Sequence, residues 1–155
     1  MLHINIICIG KLKEQYLKDA LNEYSKRLYK YCSLKIIELP DEKVPENLNA
    51  NIINKIKEIE SNNILSHIKN NSYTIALDLH GKQLSSEEFS LKIENIALNN
   101  NSNINFIIGG TLGLSDKLLK QATELISFSK MTFPHQLIRI FLLEQIFRAF
   151  KISNR

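Results

Sequence analysis

The chain has 155 residues, 44% hydrophobic and 23% charged, with a formal net charge of +4 at pH 7. That balance suits one soluble domain able to bury its own core, and excludes a miniprotein that depends on staples. No apolar run is long enough to cross a bilayer. The apolar opening MLHINIICIG lacks the basic lead and the cleavage site of a signal peptide, so it reads as a buried strand. Cys8 and Cys32 sit among apolar residues with no CxxC partner. A disulfide between them is one option; two reduced, buried thiols in a cytoplasmic protein is the preferred expectation. The isoelectric point near 9.0 leans towards phosphate-bearing partners without selecting one.

Leu2 to Ile9 is isoleucine-rich and loosely alternating, and predicts a strand closed by Gly10. From Lys13 to Tyr31 apolar residues recur at three- and four-residue steps, which places them on one helical face with lysines opposite. Leu34 to Leu39 is a second strand, and the proline-broken Pro40 to Asn49 a loop. Ala50 to about Lys69 is helical again, weakened at the interior SNN of 61–63. Tyr73 to Leu79 is a third strand, ending at His80-Gly81. Ser85 with Glu88 three residues on is a capping-box pattern, opening a helix to about Leu98. Asn99 to Asn103 is a polar connector, Ile104 to Ile108 a fourth strand, and Ser115 leads a short helix. Leu125 to Phe128 is a short fifth strand, and Pro134 or His135 opens the last helix.

This alternation predicts an α/β fold: a mostly parallel sheet with helices on both faces, in a single domain over 1–155 without internal repeats. All five glycines fall just after a predicted strand, and ligands of open α/β sheets bind outside the carboxyl ends of strands. IGGTLG at 108–113 is neither GxGxxG nor a P-loop ending in GK[ST], so it supports no dinucleotide or nucleoside-triphosphate site of those kinds. Gly109 and Gly110 still allow a backbone to approach a ligand closely; a plain tight turn is the alternative.

In the second loop, Phe128 to His135, Pro134 fixes its own φ and restricts Phe133 before it. A rigid loop of this kind can present backbone amides and carbonyls to an adenine, or be no more than a helix start. The last helix, Gln136 to Ile152, is hydrophobic nearly all round, which predicts either a homodimer interface or a deep core helix. His135 and Arg139 are i, i+4 neighbours away from its polar stripe, and an arginine amid apolar residues wants an anionic or carbonyl partner. His3, His67 and His80 have no ligand spacing with Cys8 or Cys32, so no metal site is expected.

FIIGG at 106–110, Gly113, SFSKMTFPHQL at 127–137, and Arg139 with LLEQIFRAFKI at 142–152 resemble the RlmH family of SPOUT-class methyltransferases. GKLKEQY at 10–16, LPDEK at 39–43 and LDLHGKQLSSEEF at 77–89 extend the resemblance over essentially the whole chain. It implies a C-terminal trefoil knot and a homodimer. It also implies a site for S-adenosyl-L-methionine built by three knot loops. Carried over position by position, these are Leu77, Gly109, and the run Phe128, Ser129, Lys130, Met131, Thr132 and Phe133. The implied reaction is methylation of N3 of a pseudouridine in large-subunit (23S) ribosomal RNA, on the RNA or the ribosome.

That imide nitrogen becomes nucleophilic on losing its proton. Arg139 is the expected catalytic cation near the imide carbonyls, with His135 in support. Arg148, Lys151 and Arg155 are candidates for RNA phosphates or for a solvated face. Family members carry a Tyr-His-basic tail reaching towards the RNA; the present sequence stops at Ser153-Asn154-Arg155, ahead of it. Two other classes stay open: a non-catalytic ribosome- or RNA-binding homodimer of the same fold, and a small-molecule enzyme binding a nucleotide at the glycine turn.

Overall fold

The computed structural model describes residues 1–99 and 102–155. Five strands, β1 (His3–Ile9), β2 (Ser33–Leu39), β3 (Tyr73–Gln83), β4 (Asn103–Ile108) and β5 (Glu124–Ser127), form one sheet in the order β2-β1-β4-β3-β5. Every pairing is parallel. The helices are α1 (Gln15–Leu28), α2 (Ala50–Leu65), α3 (Ser86–Leu98), α4 (Asp116–Gln121) and α5 (His135–Ser153).

The period-two side-chain rule sorts the strands into two cores. Ile4, Ile6 and Cys8 of β1 with Ile104, Phe106 and Ile108 of β4 face α1, α3 and α5. Ile7, Ile9 and Ile107 face α2 and α4. With both faces covered, the central strands read as continuous apolar runs, as parallel sheets do. Cys8 and Cys32 are separate free thiols, and burial pushes each up to about 11.

Local chemistry sets the helix starts. Asn49 Oδ1 accepts the Ile52 amide at 2.9 Å, and the expected capping box is complete, with Ser85 Oγ taking the Glu88 amide and Glu88 Oε1 the Ser85 amide. The SNN stretch does not break α2. Ser61 points inward, and its Oγ accepts the Ser115 amide at 2.9 Å, tying α2 to the start of α4. The expected connector at 99–103 lies partly outside the described residues; Asn99 caps α3 and Asn103 already belongs to β4.

β3 departs from the expected end at Leu79. It runs on to Gln83 through an irregularity, so that Ile126 of β5 pairs with both Leu77 and Lys82. Gly81 allows this, because a Cβ there would stand 2.6 Å from the Ile126 nitrogen and 2.7 Å from the Leu125 carbonyl carbon. The surplus apolar surface of α5 is covered in part within the chain. Tyr31 stacks on Phe150 at 5.3 Å and meets Phe147 edge-on at 6.2 Å, while Leu142, Leu143, Ile146 and Ala149 enter the core. Phe141 stays exposed, in a T-shaped pair with exposed Phe133 at 5.6 Å.

Candidate active site

β4, β3 and β5 are neighbours in the sheet, and the segments after β4 and β5 meet the irregular middle of β3 at one cleft of about 580 Å³. That volume is typical of a small-molecule site. From β4 comes the glycine turn. The Gly113 amide donates to the Gly110 carbonyl at 3.1 Å and Gly113 has φ +88°, so the turn folds back on itself and leaves its backbone facing the cleft. From β3 come Leu77, Asp78, Leu79 and His80, where the Asp78 carboxylate accepts the His80 amide at 3.1 Å. From β5 comes the loop to α5, braced by Ser127 Oγ donating to the Ser129 carbonyl at 2.9 Å and by the Met131 amide donating to Ser129 Oγ at 3.0 Å.

Of the residues singled out in the sequence, Leu77, Gly109, Phe128, Ser129, Met131, Thr132, Phe133 and His135 line this cleft; Lys130 and Arg139 do not. Lys130 is exposed. Thr111 and Asp116 of the glycine-turn side, and Lys57 reaching over from α2, also line it. Thr111 belongs to the glycine turn that the sequence singles out, whereas nothing local marked Asp116 and Lys57, which the packing of α4 and α2 brings there. Phe128 also lines a second cavity of about 240 Å³ with Ser85, Phe89, Phe141 and Gln145.

His135 is half-buried at the start of α5. Burial holds its imidazole below the usual histidine range, the Arg139 guanidinium adds to this, and Asp41 works against both. It is therefore neutral at pH 7, with a lone pair available to a proton. Arg139 is 0% exposed. Its Nη1 donates to Glu38 Oε2 at 2.8 Å, and its Nη2 to the carbonyls of Ile9 and Gly10, each at 2.8 Å; its Nε proton meets no acceptor among the described residues. Glu38 Oε2 also accepts the Leu12 amide at 3.0 Å. The arginine thus ties α5 to the ends of β1 and β2, with its charge consumed by the protein.

A buried carboxylate lies behind the glycine turn. Glu60 Oε2 accepts the Glu42 amide at 2.9 Å, while Oε1 lies 3.0 Å from where a Cβ on Gly110 would sit and meets no donor among the described residues. Burial raises its carboxyl above the usual range, the neighbouring Asp41 and Glu42 carboxylates add to this, and the Glu42 amide opposes them.

A parallel α/β sheet with a glycine-turn cleft beyond its strand ends places this chain among open-sheet α/β proteins, which bind their ligands at that edge. The description "Predicted SPOUT methyltransferase" matches residues 2–155, and the chain belongs to the SPOUT methyltransferase family. Among its relatives is a "Ribosomal RNA large subunit methyltransferase H" from Clostridium botulinum (strain 657 / Type Ba4). It is 60% identical over 154 residues, covering 99% of this chain and 97% of the relative. A protein of the same name from Clostridium acetobutylicum is 58% identical over 153 residues, covering 99% and 96%. A probable methylase family protein from Haemophilus influenzae Rd KW20 has a similar solved structure, with a TM-score of 0.55 at 12% identity over 97% of this chain and 67% of the other. That last likeness concerns the fold alone.

Proposed function

We propose that this chain is a cytoplasmic homodimer that uses S-adenosylmethionine to methylate N3 of a pseudouridine in large-subunit ribosomal RNA. The observation that carries the reading is the convergence of the loops after β4 and β5 and the irregular middle of β3 on one cleft in a member of a methyltransferase family. The names of the relatives at 58–60% identity supply the ribosomal substrate. The cleft fits the cofactor in size and in kind: backbone from the glycine turn and the 128–133 loop offers amides and carbonyls to an adenosine, and Leu77 and Phe128 offer apolar walls.

The cofactor brings a sulfonium-activated methyl group, so the chain's task is to hold the acceptor in line and manage one proton. His135, neutral and lining the cleft, is the group we assign to accept the imide proton, directly or through a water. Arg139 acts from behind, holding the β1–α1 connection and keeping His135 uncharged, in place of the substrate contact expected from the sequence. The exposed Phe133–Phe141 pair and Met131 supply an apolar face for the second subunit. The trefoil path of β5 and α5 is part of the reading through membership of the SPOUT family.

The test is methyl transfer from labelled S-adenosylmethionine to ribosomes, assayed across size-exclusion fractions whose mass is read by light scattering. Activity should travel with a species of twice the 17.9 kDa chain mass, and the label should appear as N3-methylpseudouridine. Ribosome binding by such dimers with no transfer would favour the non-catalytic RNA-binding reading instead.

A further inference from the structure

The β1–α1 connection is built more firmly than a surface loop needs. Gly10, at φ +89°, donates its amide to the Leu39 carbonyl at 2.6 Å and gives its own carbonyl to Arg139 at 2.8 Å. Leu12 is buried and its amide is held by Glu38. With residues 10 and 12 pinned inward, Lys11 and Lys13 are exposed on either side of Leu12. Two residues into α1 stands Tyr16, 67% exposed, an aromatic ring left largely in water. From 11 to 18 the charged residues are three lysines and one glutamate. Gly10 also neighbours His135, which lines the cleft: His135 Nε2 lies 3.9 Å from the position a Cβ on Gly10 would take.

A rigid cationic loop with one exposed aromatic ring, at the lip of a methyl-transfer cleft, has the chemistry of a single-stranded RNA contact: ammonium groups for phosphates, a ring for an unpaired base. We propose that Lys11, Lys13 and Tyr16 form the surface on which the ribosomal RNA docks, with the target nucleotide passing over His135 into the cleft. The proposal rests on the reading that the substrate is RNA.

The other tyrosine–cation group on α1 is less suited. Tyr29, 62% exposed beside Lys30, lies at the far end of α1, about 20 Å away along the helix axis and next to the amino end of β2. Its neighbour Arg27 is occupied by Glu23 at 3.4 Å and by the rings of Tyr24 and Phe147. On α5, Arg148 is paired with Glu144. Lys11 and Lys13 carry no such internal partner among the described ion pairs.

The experiment measures binding of fluorescently labelled protein to purified ribosomes over a potassium chloride series, beside methyl transfer and S-adenosylmethionine affinity. For Lys11→Ala/Lys13→Ala the dissociation constant should rise about tenfold or more, and the slope of log K against log salt should become shallower by about 1.4. Tyr16→Ala should weaken binding about tenfold and leave the salt slope unchanged, since stacking releases no counterions. Cofactor affinity should stay at the parent value in all variants, because these side chains are exposed and none lines the cleft. A double variant that binds ribosomes as tightly as the parent, with the same salt slope, overturns the docking surface and leaves the reaction standing. A parent that binds ribosomes without transferring methyl removes the proposed reaction and leaves the surface. A parent that does not bind ribosomes overturns both.

Discussion

A guanidinium sealed from water must spend its donors on protein, and Arg139 spends three of its bonds on Glu38 and two strand-end carbonyls. The sequence showed that this arginine needed an anion or carbonyls, because its neighbours on α5 are apolar. It could not name them, since Ile9, Gly10 and Glu38 are 130, 129 and 101 residues away. The consequence is testable in one variant. Arg139→Met should cost about 3 kcal/mol of stability by removing the donor from the carbonyls of buried Ile9 and Gly10 and loosening the loop. It should also remove one of the two influences that depress His135. If His135 accepts the proton, it must be neutral to act, so raising its pKa moves the acidic limb of the transfer profile to higher pH. The folded variant should therefore keep transfer at alkaline pH and lose it earlier than the parent on acidification. A pH-independent loss of transfer in folded protein would mean that Arg139 touches the substrate after all.

At the scale of elements, periodicity and helix caps together found every named strand and helix, because burial patterns and caps are both local to each. It misplaced ends where distant chain decides. His80-Gly81 reads as the end of β3, yet the strand continues because glycine lets it lie against the backbone of Leu125 and Ile126. Lys13 to Tyr31 reads as one helix, but α1 itself is Gln15–Leu28, its first residues being held back by the Leu12 anchor. The glycines separate two kinds of cost. At Gly81 an added Cβ meets backbone that cannot yield, whereas at Gly113 it meets nothing within 4 Å among the described residues and only the φ of +88° resists it. Urea unfolding should give Gly81→Ala a loss of about 3 kcal/mol and Gly113→Ala about 1 kcal/mol. Equal losses at the two positions would contradict the close passage of β3 against the backbone of β5.

At the scale of the molecule, alternation of strands and helices announces a parallel sheet but not the order β2-β1-β4-β3-β5, which is set by pairings between strands far apart in sequence. That order matters, because it makes β3, β4 and β5 adjacent and brings three separate segments to one cleft. Residues from those segments could be named from motifs; Lys57 and Asp116 arrive through helix packing and could not. The decisive measurement is calorimetric titration of the purified chain with S-adenosylmethionine, repeated with Gly109→Trp. The turn leaves little room at Gly109, where a Cβ already meets Leu114 at 3.0 Å and Gly113 at 3.1 Å, so an indole there must disrupt the turn or enter the cleft. One site per chain with a dissociation constant between about 1 μM and 1 mM, lost in a variant that still melts cooperatively, is the predicted result. No binding by the folded parent, or undiminished binding by the variant, would contradict a cofactor held by the glycine turn.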